Sequence, residues 1–186
     1  MRGHATSSAL QNVVKPPRVE AHLLKDDGSI PNNARLPLVI YKDALNLATN
    51  EPASVIEQLL KANNWGGSWR NGIYSYHLYH STAHEVLVVY KGEAKVQLGG
   101  EQGITLSIKR GDVLMLPAGT GHKNLGATND FAVVGAYPKG QDWDMCYGKA
   151  DERPKADENI ARVELPEADP IYGTVGPLME RWGGKR

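Results

Sequence analysis

Residues 77–85, HLYHSTAHE, contain three of the six histidines of the chain together with a glutamate. Imidazole nitrogens and carboxylate oxygens are ligands with which proteins bind divalent transition metals. A further histidine, His122, lies in the segment GDVLMLPAGTGHKN. These residue types predict a metal site, provided that the fold brings the two segments together.

The strand that carries these side chains decides where each of them points. Successive side chains of a strand face opposite sides. A strand over residues 72–80 therefore places Tyr76 on the same face as His80. His77 then points to the other face, towards solvent if His80 points inward. Glu85 opens the apolar run VLVVY, where a buried unpaired carboxylate costs several kcal/mol, and a bound cation would remove that cost.

The elements around these residues are mostly short strands. The chain has 20 glycines and 11 prolines, and from Trp69 onward it alternates short apolar runs with glycine turns. This texture predicts an antiparallel sandwich or small barrel. The turns in YKGEAK and IKRGDV are typical of β-hairpins. Residues 36–45 predict a strand, and a helix is expected to begin near Pro52 and to end before Gly66.

We interpret residues 1–186 as one domain, because the chain is too short for two comfortable cores. The barrel core is expected over about residues 70–138. Residues 1–69 form an N-terminal arm with the helix, in which ALQNVV and EAHLL are candidate edge strands. Residues 139–186 wrap the barrel and include a short helix over 151–162. The expected anchors of this wrap are Leu165, Ile171, Tyr172, Leu178 and Trp182.

Composition limits the classes of partner. The chain has 21 Lys and Arg residues against 21 Asp and Glu residues, and no segment concentrates the basic ones, so nucleic acid is not an expected partner. No window approaches the roughly 20 apolar residues of a membrane span, and residues 1–20 lack the apolar region of a signal peptide. A single cysteine, Cys146, excludes an internal disulfide. We therefore expect a soluble cytoplasmic protein with no membrane partner.

The two histidine-containing segments resemble the paired motifs of the cupin superfamily, of the RmlC-like type. Four positions of the second motif are matched by Gly111, Pro117, Gly119 and His122, and Gly126 replaces its final asparagine. In the first motif, His80, Glu85 and Gly92 match, but Leu78 stands in place of the first histidine. A longer likeness, through PNNARLPLVIY, NNWGGSWRNG, YHSTAHEVL, LPAGTGH and VVGAYPKGQDWD, is to uncharacterised cupins of the YjlB type.

The resemblance implies an all-β fold, a double-stranded β-helix or cupin jelly-roll barrel, with one or two short helices and extended N- and C-terminal arms. It also implies that His80, Glu85 and His122 bind one divalent transition metal. Two histidines and one carboxylate suit non-haem Fe(II), and Mn, Ni, Zn or Cu are the alternatives. Cupins commonly pair through their sheets, so a homodimer is expected.

Two further residues are candidates for catalysis, His84 and Tyr76. His84 either replaces the ligand that is missing at Leu78, acts as an acid or base at the pocket mouth, or caps the loop. Aromatic residues such as Tyr76 are candidates for the pocket wall. The functional hypothesis is a metal-dependent enzyme for a small-molecule substrate, such as an Fe(II) dioxygenase. The alternatives are a metal-dependent isomerase or lyase, and a binding protein that has lost the metal, which Leu78 would favour.

Overall fold

The computed structural model describes residues 7–183. Within this range the strands are β1 (Arg18–His22), β2 (Leu38–Lys42), β3 (Trp65–Asn71), β4 (Glu85–Lys91), β5 (Glu93–Leu98), β6 (Ile104–Lys109), β7 (Val113–Leu116), β8 (His122–Ala127) and β9 (Ala132–Pro138). The helices are α1 (Ser7–Gln11), α2 (Pro52–Ala62), α3 (Lys155–Arg162) and α4 (Pro177–Gly183), with a 3₁₀ turn at Ala150–Glu152.

Two antiparallel sheets form the barrel, one with the order β1-β2-β7-β4-β9-β3 and the other with the order β6-β5-β8. Successive side chains of β4 point to opposite faces of the larger sheet, and both faces are buried. Leu87 and Val89 belong to the cluster between the sheets, whereas Val86 and Val88 belong to a second cluster with α2 and the C-terminal residues. This arrangement confirms the predicted all-β jelly roll, but the described residues form four α-helices where one or two were expected.

The turns in YKGEAK and IKRGDV are not hairpins, so this prediction was wrong. β4 belongs to the larger sheet and β5 to the smaller one, and the same is true of β7 and β6. Gly92, at a φ of 67°, marks the first crossing between sheets. A Cβ there would lie 2.3 Å from Oγ1 of Thr128, so only glycine fits. The positive-φ glycine was predicted correctly, but its partner strands were not.

The predicted strand over residues 72–80 is also wrong. This segment is irregular and pairs at single positions only, Leu78 with His122 and Tyr79 with Cys146. The predicted helices are confirmed as α2 and α3, and EAHLL contributes to the edge strand β1. ALQNVV does not form an edge strand, because its first residues belong to α1.

The C-terminal residues are held against the larger sheet by a buried carboxylate. Asp169 is fully buried and accepts hydrogen bonds from the backbone of Ile171 (2.8 Å), Tyr172 (3.0 Å) and Leu178 (3.1 Å), and from the hydroxyl of Tyr41 on β2. Of the expected anchors, Ile171, Leu178 and Trp182 are buried and Tyr172 is half-buried. Leu165 is 47% exposed and is not an anchor. Within residues 7–183, no helix has the length and apolar character that crossing a membrane requires.

Candidate metal centre

The structure brings His80, Glu85 and His122 together between the two sheets. Glu85 is the first residue of β4 and His122 the first of β8, while His80 lies in the loop that leads to β4. Backbone bonds fix this approach, because Leu78 and His122 exchange hydrogen bonds and Gly119 donates to the carbonyl of His80 at 2.8 Å. The three side chains are buried, and each offers a ligand atom within 4.8 Å of the others.

Both histidines hold the tautomer that leaves Nε2 free to bind a metal. Nδ1 of His80 is hydrogen-bonded to the carbonyl oxygen of Asp144, and Nδ1 of His122 to the carbonyl oxygen of Thr120 at 3.1 Å. A carbonyl can only accept, so Nδ1 donates in each case. Nε2 of each ring is then the atom left for a metal, and Nε2 of His80 lies 2.5 Å from Oε2 of Glu85. This pattern, with one ring nitrogen tied to the backbone and the other free, is usual for histidines that bind metals.

The Glu85 carboxylate provides the test of whether a cation fits. Its Oε2 lies 2.5 Å from Nε2 of His80, yet it forms no aligned hydrogen bond with any residue of the described range. A buried acceptor without a donor is destabilising. A cation between the carboxylate and the imidazoles would satisfy all three acceptors, and two nitrogens with one carboxylate oxygen are a donor set for divalent transition metals. The residues present therefore fit a metal.

The electrostatics of the two histidines differ. Burial lowers the pKa of His122, so this ring is neutral near pH 7. Burial opposes the charged form of His80 as well, but the adjacent Glu85 carboxylate raises the pKa of His80 above its usual value. The Glu85 carboxylate therefore favours a positive charge at this position.

Leu78 departs from the cupin motif at the fourth ligand position. Its side chain is buried and lines the pocket beside His80 and His122. No other His, Cys, Asp or Glu of residues 7–183 joins the three ligand atoms. The site therefore offers three side-chain ligand atoms to a metal.

A pocket of about 370 Å³ opens onto the three ligands. Four aromatic side chains form much of its wall: Trp69, Tyr74, Tyr137 and Trp143. The ring of Trp143 is stacked on Tyr137, with 6.0 Å between centroids and an interplanar angle of 20°, and its edge meets His80 at 5.7 Å. Indole Nε1 of Trp69 donates to the phenol oxygen of Tyr137 at 2.9 Å. The aromatic wall thus contacts His80, one of the three candidate ligands, directly.

The sequence analysis did not identify Tyr137, although strand alternation could have found it. Val133, Gly135 and Tyr137 share one face of β9, and Val133 belongs to the cluster between the sheets. Gly135 pairs with Trp69, and a Cβ at Gly135 would lie 2.2 Å from the indole ring. Burial raises the pKa of Tyr137 far above its usual value, and the nearby Glu85 charge raises it further. Its phenol therefore stays protonated beside the ligands.

Asp144 connects the loop that carries His80 to the 141–146 segment. Its half-buried carboxylate accepts hydrogen bonds from the backbone of Ser81 (2.6 Å) and Thr82 (3.3 Å) and from the hydroxyl of Ser81. Burial opposes its ionisation, but the Ser81 hydrogen bonds hold the pKa of Asp144 below its usual value. Because the carbonyl of the same residue binds Nδ1 of His80, Asp144 fixes both the ring and the loop that carries it.

His84 and Tyr76, the predicted catalytic residues, lie outside the pocket, and this corrects their expected positions. His84 is fully buried on the opposite face of the sheet, 4.8 Å from the ring of Trp182, and its Nδ1 accepts a hydrogen bond from the backbone of Ala118 at 2.8 Å. It thus neither replaces the missing ligand nor reaches the pocket mouth. Tyr76 is 46% exposed, and its ring stacks on Tyr74 with 5.0 Å between the ring centroids. As expected, His77 points elsewhere, towards Glu101 at 2.8 Å.

The burial of His84 predicts a pH dependence of stability. Burial lowers the pKa of His84 to about 4 from 6.5, so the unfolded chain binds more protons between these pH values. The contribution of His84 to the free energy of unfolding is therefore fully present above pH 6.5. It is lost as the pH is lowered towards 4, and the loss amounts to roughly 3 kcal/mol. His84→Asn keeps an acceptor for the Ala118 amide but cannot titrate. Urea unfolding in a metal chelator should show a flatter pH slope for this variant.

The half-buried His22 of β1 provides a control for this measurement. His22→Asn should keep the wild-type slope. An unchanged slope in His84→Asn would show that the buried ring does not cause the pH dependence.

Comparisons with known proteins agree with this geometry. A family model described as Cupin matches residues 69–139. The chain is 42% identical over 163 residues to a protein of Bacillus subtilis (strain 168) described as uncharacterized protein YjlB, which covers 88% of this chain and 96% of the relative.

Solved structures with a similar fold include dTDP-6-deoxy-D-glucose-3,5-epimerase RmlC from Legionella pneumophila, at 12% identity and a TM-score of 0.38, covering 66% of this chain and 72% of that one. Another is a DUF861 family protein from Thermotoga maritima, at 21% identity and a TM-score of 0.29. The match covers 50% of this chain and 94% of that one. A mutant of Bacillus subtilis oxalate decarboxylase is similar at 16% identity and a TM-score of 0.33. The match covers 60% of this chain and 22% of that one. At these values the similarities carry no argument about the reaction.

Proposed function

Because this chain belongs to the cupin family, we propose that it is a metal-dependent enzyme, a non-haem Fe(II) dioxygenase that acts on a small organic molecule. The observation that carries the proposal is the buried set of His80, Glu85 and His122, in which Nδ1 of each histidine is tied to a carbonyl and Oε2 of Glu85 lacks a donor. Two imidazoles and one carboxylate, with positions left for substrate and oxygen, are typical of Fe(II) oxygenases.

His80, Glu85 and His122 would hold the ion, which when bound supplies redox chemistry with oxygen and Lewis acidity towards a substrate oxygen. The protein residues orient the substrate and exclude water. Trp143, stacked on Tyr137 at the mouth, shields His80 from solvent. Such a wall strengthens electrostatic interactions inside the pocket, because it removes competing water.

Tyr137 is a residue of the wall with a proton to donate. Its oxygen accepts the hydrogen of Trp69 Nε1, so its own hydrogen is directed away from Trp69. Burial keeps the pKa of this phenol well above the physiological range. We propose that Tyr137 donates a hydrogen bond to an oxygen atom of the substrate and remains protonated as it does so.

The experiment that tests the reaction class uses isotopic oxygen. Protein loaded with Fe(II) is incubated with a small-molecule extract of Bacillus subtilis, the organism of the 42% identical relative, under ¹⁸O₂ and, in parallel, without oxygen. Mass spectrometry should detect a product that carries two ¹⁸O atoms and forms only with oxygen. His122→Ala, treated identically, should form none.

The other outcomes decide against the dioxygenase. A product that forms equally without oxygen would indicate a metal-dependent isomerase or lyase in the same pocket. If no compound of the extract is consumed, the protein is better described as a binding protein.

A further inference from the structure

The charges around the pocket restrict the class of substrate. Arg70 is the single Lys or Arg among the described residues that line the pocket. It lies between Trp69 and Asn71 on β3, so its side chain is on the other face of the strand. There its guanidinium forms a bidentate ion pair with Glu57 of α2, at 2.6 and 3.1 Å. The pocket itself therefore offers no side-chain cation to a ligand.

The remaining charge belongs to the metal centre. Glu85 contributes one negative charge, and a histidine that binds a metal does so as the neutral imidazole. A divalent ion with one carboxylate leaves a single net positive charge, which balances one anionic group of a ligand. A second anionic group would be desolvated without a partner, and this is costly. Phosphates are normally bound by arginine, lysine or a helix N-terminus, and the residues lining this pocket provide no free one.

The remaining wall is aromatic and apolar. Trp143 and Tyr137 present parallel rings, Trp69 lies flat against Gly135, and Leu78 and Leu87 close the inner end. A volume of about 370 Å³ is near the lower end of the range for small-molecule pockets, about 300–1,000 Å³. Such a wall favours a flat, uncharged body of about the size of one ring, because rings stack well against aromatic faces.

We propose that the substrate has one oxygen-donor head with a single negative charge, which binds at the metal, and a flat, uncharged, ring-sized body that packs against Trp143 and Tyr137. The proposal deepens the function proposed above and rests on its metal site. Phosphorylated sugars, nucleotides and dicarboxylates are excluded as substrates by this account.

The test is equilibrium binding to protein loaded with Zn(II), which does not change oxidation state. Calorimetry compares salicylate with two matched probes. Lactate has a similar hydroxy acid head without the ring, and 4-hydroxyisophthalate is salicylate with a second carboxylate on the ring. Salicylate should bind at least tenfold more tightly than either probe.

Two variants locate the binding energy. Trp143 is 50% exposed, so the Trp143→Ala variant should fold. It should weaken the binding of salicylate about fivefold. The affinity for lactate should not change. Tyr147→Ala removes an exposed aromatic residue of the same segment that does not line the pocket, and it should leave both affinities unchanged.

The outcomes separate the two proposals. Protein that takes up no Zn(II) would overturn the proposed function. Protein that takes up Zn(II) but binds lactate or 4-hydroxyisophthalate as tightly as salicylate would overturn only the substrate class. An unchanged salicylate affinity in Trp143→Ala would refute the packing of the ring against the aromatic wall.

Discussion

Replacing His122 by alanine is expected to weaken Mn(II) binding by about 100-fold or more, since loss of a ligand should exceed the 10- to 100-fold effects of residues that only orient ligands. His122 provides one of the three buried ligand atoms. No further histidine or acidic residue of the described chain lies close enough to replace it. Isothermal titration with Mn(II) measures this effect without interference from iron oxidation. Turnover of any substrate in the Fe(II)-loaded variant should be lost.

His77→Ala is the matched control, because His77 lies close in sequence but contacts Glu101 on the outside of the barrel. It should bind Mn(II) with wild-type affinity. Thermal unfolding of both variants in a chelator checks that the barrel is intact. Wild-type Mn(II) affinity in a folded His122→Ala variant would contradict the proposed ligand set.

The second large effect concerns a residue that does not touch the metal. Asp144→Ala should weaken Mn(II) binding about 10- to 100-fold. The carboxylate of Asp144 holds the backbone of Ser81 at 2.6 Å, and its carbonyl holds the ring of His80. Without the carboxylate, the backbone of Ser81 and Thr82 loses its acceptor, so the loop no longer holds the His80 ring in a fixed position against the Asp144 carbonyl. Calorimetry with Mn(II) measures this effect too.

Two variants distinguish positioning from general damage to the loop. Asp142 is an exposed aspartate two positions away, and its backbone carbonyl accepts a hydrogen bond from the hydroxyl of Thr82. Asp142→Ala should therefore keep the wild-type affinity. Asp144→Asn retains an acceptor for the Ser81 amide and should restore most of the affinity. Equal losses in Asp142→Ala and Asp144→Ala would argue against a specific role for Asp144 in orienting His80.

Much of the fold was predictable from local patterns. The apolar runs at β4, β7 and β9 and the amphipathic helix α2 follow from periodicity and from turn residues. The pairing of strands did not follow. Gly92 bends the chain in the same way whether the next strand pairs with β4 or crosses to the other sheet. Contacts between distant segments decide that choice, and one turn carries no information about them.

The same distinction separates the site residues that were found from those that were missed. His80, Glu85 and His122 were identified by their resemblance to cupin motifs, and Tyr137 could have been found by alternation along β9. His84 could also have been placed better, because it continues the face of Val86 and Val88 towards the helices. Asp144 was beyond prediction, since its role depends on the pairing of Tyr79 with Cys146, which aligns two segments far apart in the chain.

The central claim is that His80, Glu85 and His122 together hold one divalent metal ion. Anomalous diffraction from crystals grown with Mn(II) tests it most directly. The account predicts one peak per chain, within bonding distance of Nε2 of His80, Nε2 of His122 and a carboxylate oxygen of Glu85. A well-ordered site with no anomalous peak between these three atoms, or a peak only elsewhere, would contradict it.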